Sequence, residues 1–159
     1  MWIKRDIESN WIGTAGAEAR ILLGPRQCGK SALLDRLAPE VWRRITLDDL
    51  RIRQLANHDP ALLLDETGIP VVIDEIQHAP PLFLELKRRI DEERRVARKA
   101  EVATPRRSVV WATGSNQIAF DRHVKESLAG RSSHYQLHPL AVAEIVRAFP
   151  DVRLDQWLL

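Results

Sequence analysis

The chain has 159 residues, 45% hydrophobic and 29% charged, which suits one soluble globular domain with one core. No apolar stretch approaches the ~20 residues of a membrane span, and Met1-Trp2-Ile3-Lys4-Arg5-Asp6 lacks the long apolar region of a secretory signal. A net charge of +2 is too small to imply a polyanionic partner, and the single cysteine, Cys28, excludes an internal disulfide and fits a reducing cytoplasm.

Strand and helix patterns alternate along the chain, which predicts a doubly wound α/β fold on a parallel sheet of about five strands. Residues 1–18 read as a flanking segment. The first strand is the apolar run Ala19-Arg20-Ile21-Leu22-Leu23. It leads into Gly24-Pro25-Arg26-Gln27-Cys28-Gly29-Lys30-Ser31, the full G-x-x-x-x-G-K-[ST] pattern of a phosphate-binding loop. Each fixed position has a task. Gly24 and Gly29 let successive N–H groups turn inward on a phosphate. Lys30 reaches the β- and γ-phosphates, and the Ser31 hydroxyl ligates Mg²⁺. A helix over 30–39, with Ala32, Leu33, Leu34, Leu37 and Ala38 on one stripe, points its positive end at the same anion. Arg26 and Gln27 read equally as nucleotide contacts and as exposed loop polarity. Cys28 reads first as a small space-filling residue. The sharper reading is a thiolate, favoured by nearby amides and Lys30, that makes nucleotide binding sensitive to thiol reagents.

A second strand is expected at 43–47, helix over 49–64 broken at Pro60, and a third strand at 70–74. That strand, Val71-Val72-Ile73, runs into the adjacent carboxylates Asp74 and Glu75. Phosphoryl transfer needs a carboxylate on the metal side and a group that prepares water. Alternate side chains of a strand point different ways, so Asp74 is assigned to Mg²⁺ and Glu75 to the water. A helix over 81–100 follows, starting at Pro80-Pro81. Its stripe of Leu82, Phe83, Leu86 and Ile90 stops at Asp91, so it is expected to dock by its first half and to project or fray in its second. The segment 100–107 reads as an exposed loop. Nine Lys/Arg and five Asp/Glu lie between Glu85 and Arg107. A solvated helix face is the preferred reading of this run over an arm for nucleic acid.

A fourth strand at 108–112 ends in Thr113, Gly114, Ser115 and Asn116. A hydroxyl or amide there can touch the γ-phosphate or the attacking water, or can cap the next helix. That helix, over 117–129, ends at Gly130 and presents Arg131. Its guanidinium can neutralise transition-state charge, from within the chain or from a neighbouring subunit, or it can meet exposed helix carbonyls. A fifth strand at 133–137 and a helix at 140–148 close the pattern. The five histidines show no metal spacing and read as structural or solvated. Trp111 reads as core, and the five tryptophans do not interleave with the basic run. Trp157-Leu158-Leu159 makes an apolar tail.

The order GPRQCGKS, LDDLR, VVIDEIQHAP, ATGSN, ESLAGR and HPLAVAE resembles the AAA-type ATPase domain of a bacterial and archaeal ATP-binding protein family. The resemblance runs from about residue 19 to 144. It implies a sheet order of 5-1-4-3-2. It also implies that Gly24 to Ser31 form the first Walker motif, Asp74 and Glu75 the second, Ser115 the first sensor, and Arg131 the arginine of a Gly-Arg motif. In that family a nuclease-like domain usually follows. The ATPase domain is therefore placed at 19–140, and 141–159 reads as the start of a truncated or missing C-terminal region. Cys28 stands where valine is common, and Ser31 where threonine is, with its hydroxyl retained.

The expected activity is Mg²⁺-dependent hydrolysis of ATP to ADP and phosphate. The absence of an N-K-x-D pattern leans towards ATP over GTP. The expected partners are ATP and a second copy or another protein, with nucleic acid weakly supported and no membrane. One rival is a non-hydrolysing nucleotide switch acting on a partner. Another is a small-molecule or nucleotide kinase, against which Glu75 directly after Asp74 argues.

Overall fold

The computed structural model describes residues 2–13, 18–99, 109–115 and 127–151. Five strands form one parallel sheet: β1 (Ala19–Leu23), β2 (Arg43–Thr46), β3 (Val71–Asp74), β4 (Val110–Gly114) and β5 (Ser132–Gln136). Their order is β2-β3-β4-β1-β5, which is 5-1-4-3-2 read from the other edge, as the resemblance implies. β4 is inserted between the strand that feeds the glycine loop and the strand that ends in Asp74. β1 and β4 are buried at every position, because a central parallel strand is covered on both faces.

Alternation along the strands divides the core in two. Ile21, Val71, Ile73, Val110 and Ala112 face α3 (Leu50–His58), α4 (Pro60–Thr67) and the first half of α5 (Pro80–Lys99). Leu22, Val72 and Trp111 face α2 (Lys30–Leu37) and α1 (Ile7–Gly13). Trp111 is core, as expected, with Trp11 edge-on at 5.2 Å between centroids and Trp42 at 5.0 Å. The 49–64 stretch is indeed two helices. Asp59 ends one and caps the next by accepting the Leu62 N–H, and Pro60 disfavours helical angles at the residue before it.

Three elements differ from expectation. β4 runs to Gly114, two residues beyond the predicted end, because Thr113 and Gly114 pair with Leu22 and Leu23. A ladder follows its backbone partner, not the end of the apolar run. α5 does not fray after Asp91; it continues to Lys99, held where Arg94 donates to the Glu18 carboxylate at 2.6 and 2.8 Å and to the Gly130 carbonyl at 3.0 Å. Finally, α1 is absent from the periodicity reading. It is only seven residues long, yet it drives Trp11, fully buried, against Trp111 and Tyr135.

At the other end, the short helix α6 (Val142–Ala148) is tied to the start of the chain through the buried pair Arg5–Glu144. The helix expected at 117–129, Asn116, the 100–107 loop and the Trp157 tail lie outside the described residues, apart from Ser127 to Ala129.

Candidate nucleotide site

The site lies at the C-terminal edge of the sheet, where the chain leaves β1 and β4, the neighbouring strands at which the order reverses. Residue 24 must be glycine for steric reasons: a Cβ there would lie 2.2 Å from the Leu137 carbonyl oxygen, which passes directly behind it. Gly29 sits at φ 94° and opens α2, and Gln27 also takes a left-handed backbone at φ 62°. These turns wrap the loop. The Lys30 side chain, only 5% exposed, folds over it and donates to the carbonyls of Gly24 at 3.1 Å and Pro25 at 2.7 Å. Cys28 is buried and packs with Leu33, Leu34 and Leu137, so the space-filling reading describes its surroundings.

β3 brings the carboxylates to this loop. The Ser31 hydroxyl lies 2.8 and 2.9 Å from the two Asp74 oxygens. Thr113, fully buried on β4, donates its hydroxyl to Asp74 and accepts the Glu75 N–H at 3.0 Å. That hydroxyl is therefore engaged with the carboxylate and is not turned to a phosphate, which the sequence left open. Glu75 has φ 55°, a left-handed backbone uncommon for a side chain of this size. The turn swings its carboxylate away from Asp74 and towards Ser115, which donates at 2.8 Å, and Gln77, which donates to the same oxygen. Burial opposes ionisation of Glu75. The Gln77 and Ser115 hydrogen bonds, with Lys30 and His78 nearby, outweigh it and hold the group below the usual carboxylate range.

A polar cavity of about 510 Å³ opens over this constellation, lined by Lys30, Ser31, Asp48, Glu75 and His78 among others. Across Arg26, Gln27 and Gly29 it adjoins an apolar cavity of about 410 Å³ walled by Trp2, Ile3, Pro139 and Leu140. Both are of ligand size. Asp48 and His78 are site residues that the motifs did not flag. His78, read as structural or solvated, lies 3.8 Å from the Asp48 carboxylate at the cavity rim. Gln77 was likewise not flagged. Its signal was weak: an amide two residues beyond a candidate base.

Arg131 does not join this group. Its guanidinium pairs with Asp91 at 2.7 and 2.9 Å and donates to the Ala129 carbonyl at 2.8 Å. Its own carbonyl accepts the N–H of Ala19, the first residue of β1. β5 is parallel to β1, so Arg131 stands at the opposite edge of the sheet from the glycine loop, about 15 Å away along five residues. Within one chain, strand direction thus sets Arg131 apart from the glycine loop. The basic run of α5 is also largely committed: Arg88 and Arg89 bind Glu85, Arg89 also binds Asp65, and Arg95 binds Glu92.

The model of the AAA domain family matches residues 17–146. The chain belongs to the AAA domain family. This AAA domain is accordingly a nucleotide-binding module of the phosphate-loop ATPase type, and its observed strand order agrees. No curated protein matches the sequence. Among the described residues, no helix of this AAA domain is long and apolar enough to cross a membrane. Nor do three or more His, Cys, Asp or Glu side chains cluster as a metal cage.

Proposed function

We propose that the domain binds ATP with Mg²⁺ and hydrolyses it to ADP and phosphate. The observation that carries this reading is the Ser31–Asp74 contact, which joins the phosphate loop to the end of β3. A hydroxyl and a carboxylate are hard oxygen donors. Mg²⁺ is usually held by one or two such groups while water and phosphate fill its other positions, so the pair suits it. Ser31 and Asp74 would hold the ion, which would supply charge neutralisation to the phosphates.

The residues then divide the work. The N–H groups of residues 26 to 29 cradle the phosphates (Pro25 has none), and Lys30 exchanges its loop carbonyls for phosphate oxygens. The apolar cavity beside Trp2 and Leu140 takes the base. Glu75, ionised at neutral pH, accepts the proton of the attacking water. In the observed geometry its carboxylate is shared with Ser115 and Gln77. Turning the Ser115 hydroxyl to a γ-phosphate would free one acceptor position and couple the state of the nucleotide to the base.

A second reading, the non-hydrolysing switch, draws on the distance of Arg131 from the site and on the engaged state of Glu75. Steady-state phosphate release without any acceptor substrate separates the two and also tests the kinase alternative. Hydrolysis predicts turnover by the wild type, loss of nucleotide binding in Lys30→Ala, and a fall of about 10²–10⁴ in kcat with binding retained in Glu75→Gln. Equal rates for wild type and Glu75→Gln would remove Glu75 as the base.

A further inference from the structure

Arg5 lies outside every motif of the site, yet it is 6% exposed and its guanidinium joins three separate segments. Nη1 donates to the Cys28 carbonyl at 3.0 Å, Nη2 to the His138 carbonyl at 2.6 Å, and Nε to both oxygens of Glu144 at 3.1 and 3.2 Å. Glu144 in turn accepts the N–H groups of Asp6 at 2.8 Å and Ala141 at 2.9 Å. A buried guanidinium is costly unless its donors are met, so this degree of satisfaction locks the side chain in one position.

The Cys28 carbonyl belongs to the peptide unit that carries the Gly29 N–H. A trans peptide is planar, and its C=O and N–H point in opposite directions. Drawing the carbonyl back towards Arg5 therefore sends the Gly29 N–H the other way, into the polar cavity that Gly29 lines. Gly29 is free to rotate at φ 94°, with only the tip of Arg5 within reach of an added Cβ, at 3.8 Å. Nothing in a glycine itself selects that peptide orientation. We propose that Arg5 is a positioning residue of the nucleotide site, whose guanidinium holds the Cys28 carbonyl so that the Gly29 amide is aimed at the bound phosphate.

The same fork also fixes His138, next to Pro139 and Leu140 in the wall of the apolar cavity, against the segment that carries Trp2 and Ile3 in the facing wall. A brace of the walls alone would act on the base. An aimed amide acts on the phosphate. The two are separable by ligand.

This inference rests on the reading of the loop as a nucleotide site, and the experiment keeps the two apart. Dissociation constants for ADP·Mg²⁺ and for adenosine are measured by calorimetry, and the Gly29 amide resonance is followed by ¹⁵N-edited NMR. The proteins are the wild type, Arg5→Lys and Arg5→Met/Glu144→Gln. The double variant removes both charges, so that no buried carboxylate is left without its cation. Arg5→Lys keeps the charge but loses the planar fork. The wild type is expected to prefer ADP to adenosine and to shift its Gly29 amide downfield with ADP. In both variants that preference is expected to fall on the order of tenfold, the weight of a charge-assisted hydrogen bond, and the Gly29 shift to shrink. If either folded variant keeps the wild-type ADP-to-adenosine ratio and the Gly29 shift, or loses both ligands equally, Arg5 does not aim the amide. Absence of ADP binding in the wild type overturns the nucleotide reading itself, and the positioning role with it.

Discussion

Thr113 shows how one buried hydroxyl holds two catalytic candidates at once. It donates to Asp74 and accepts the Glu75 amide, so it sets the side chain of one residue and the backbone of the next. Thr113→Val keeps the shape and removes both bonds, leaving the Glu75 N–H without its acceptor. A loss of about 1–3 kcal/mol in urea unfolding is expected, together with a raised Mg²⁺ requirement for nucleotide binding. An unchanged Mg²⁺ dependence would show that Asp74 needs no orientation from β4. The phosphate loop itself was legible residue by residue, because its glycines, lysine and serine are consecutive and their tasks are local. Thr113 was not, because one Thr in a run of small polar residues offers no sign of which oxygen its hydroxyl will meet.

At the scale of elements, α3 and α4 were legible together with the break between them, since Asp59-Pro60 both stops one helix and starts the next. Asp59→Ala removes the cap on the Leu62 N–H and is expected to cost about 1 kcal/mol, read as a lower urea midpoint with an unchanged slope. A shift of the midpoint too small to measure would mean that Pro60 alone organises the start of α4. α5 was legible only in its apolar half. Its charged half stays helical because Arg94 finds Glu18, which sits just before β1 and more than seventy residues away in the chain. No periodicity within α5 carries that information. α1 escaped notice for the same kind of reason: seven residues with one anchor give too few repeats to show a period, and Trp11 is recognisable as core only once Trp111 lies beneath it.

Across the whole molecule, the segment before β1 is tied to the helix after β5 through Arg5 and Glu144, and Arg5 itself lines the apolar cavity of the candidate site. Glu144 titrates accordingly. Burial pushes its pKa up, but the Ala141 and Asp6 N–H groups and the Arg5 guanidinium hold it below the ordinary value. A carboxyl lowered in the folded state binds fewer protons there than in the unfolded chain. It adds stability at pH values above the ordinary carboxylate range, and that stability is lost as pH falls through the folded pKa. Glu75 and Asp91 are displaced in the same direction. The melting temperature is therefore expected to be nearly level from neutral pH to about pH 5 and to fall below it. In Glu144→Gln the fall should be shallower, by up to one proton's contribution, from a lower plateau. An identical acid slope in both proteins would show that the Arg5–Glu144 pair contributes nothing to acid sensitivity.

By itself the sequence determined what is local. Short continuous apolar runs suit strands covered on both faces, and the spacing of Gly24, Gly29, Lys30 and Ser31 in its strand-loop-helix setting matches a phosphate-binding loop. With the resemblance added, the strand order followed as well. Only the tertiary structure decided the partners. Ser31 meets Asp74, Thr113 donates to Asp74 and not to a γ-phosphate, Arg5 reaches the Cys28 carbonyl, and Arg131 turns to Asp91 at the far end of the sheet. Each of these contacts spans more than twenty residues of chain. Their existence depends on which strands lie side by side and which way they run, quantities that no window of neighbouring residues contains.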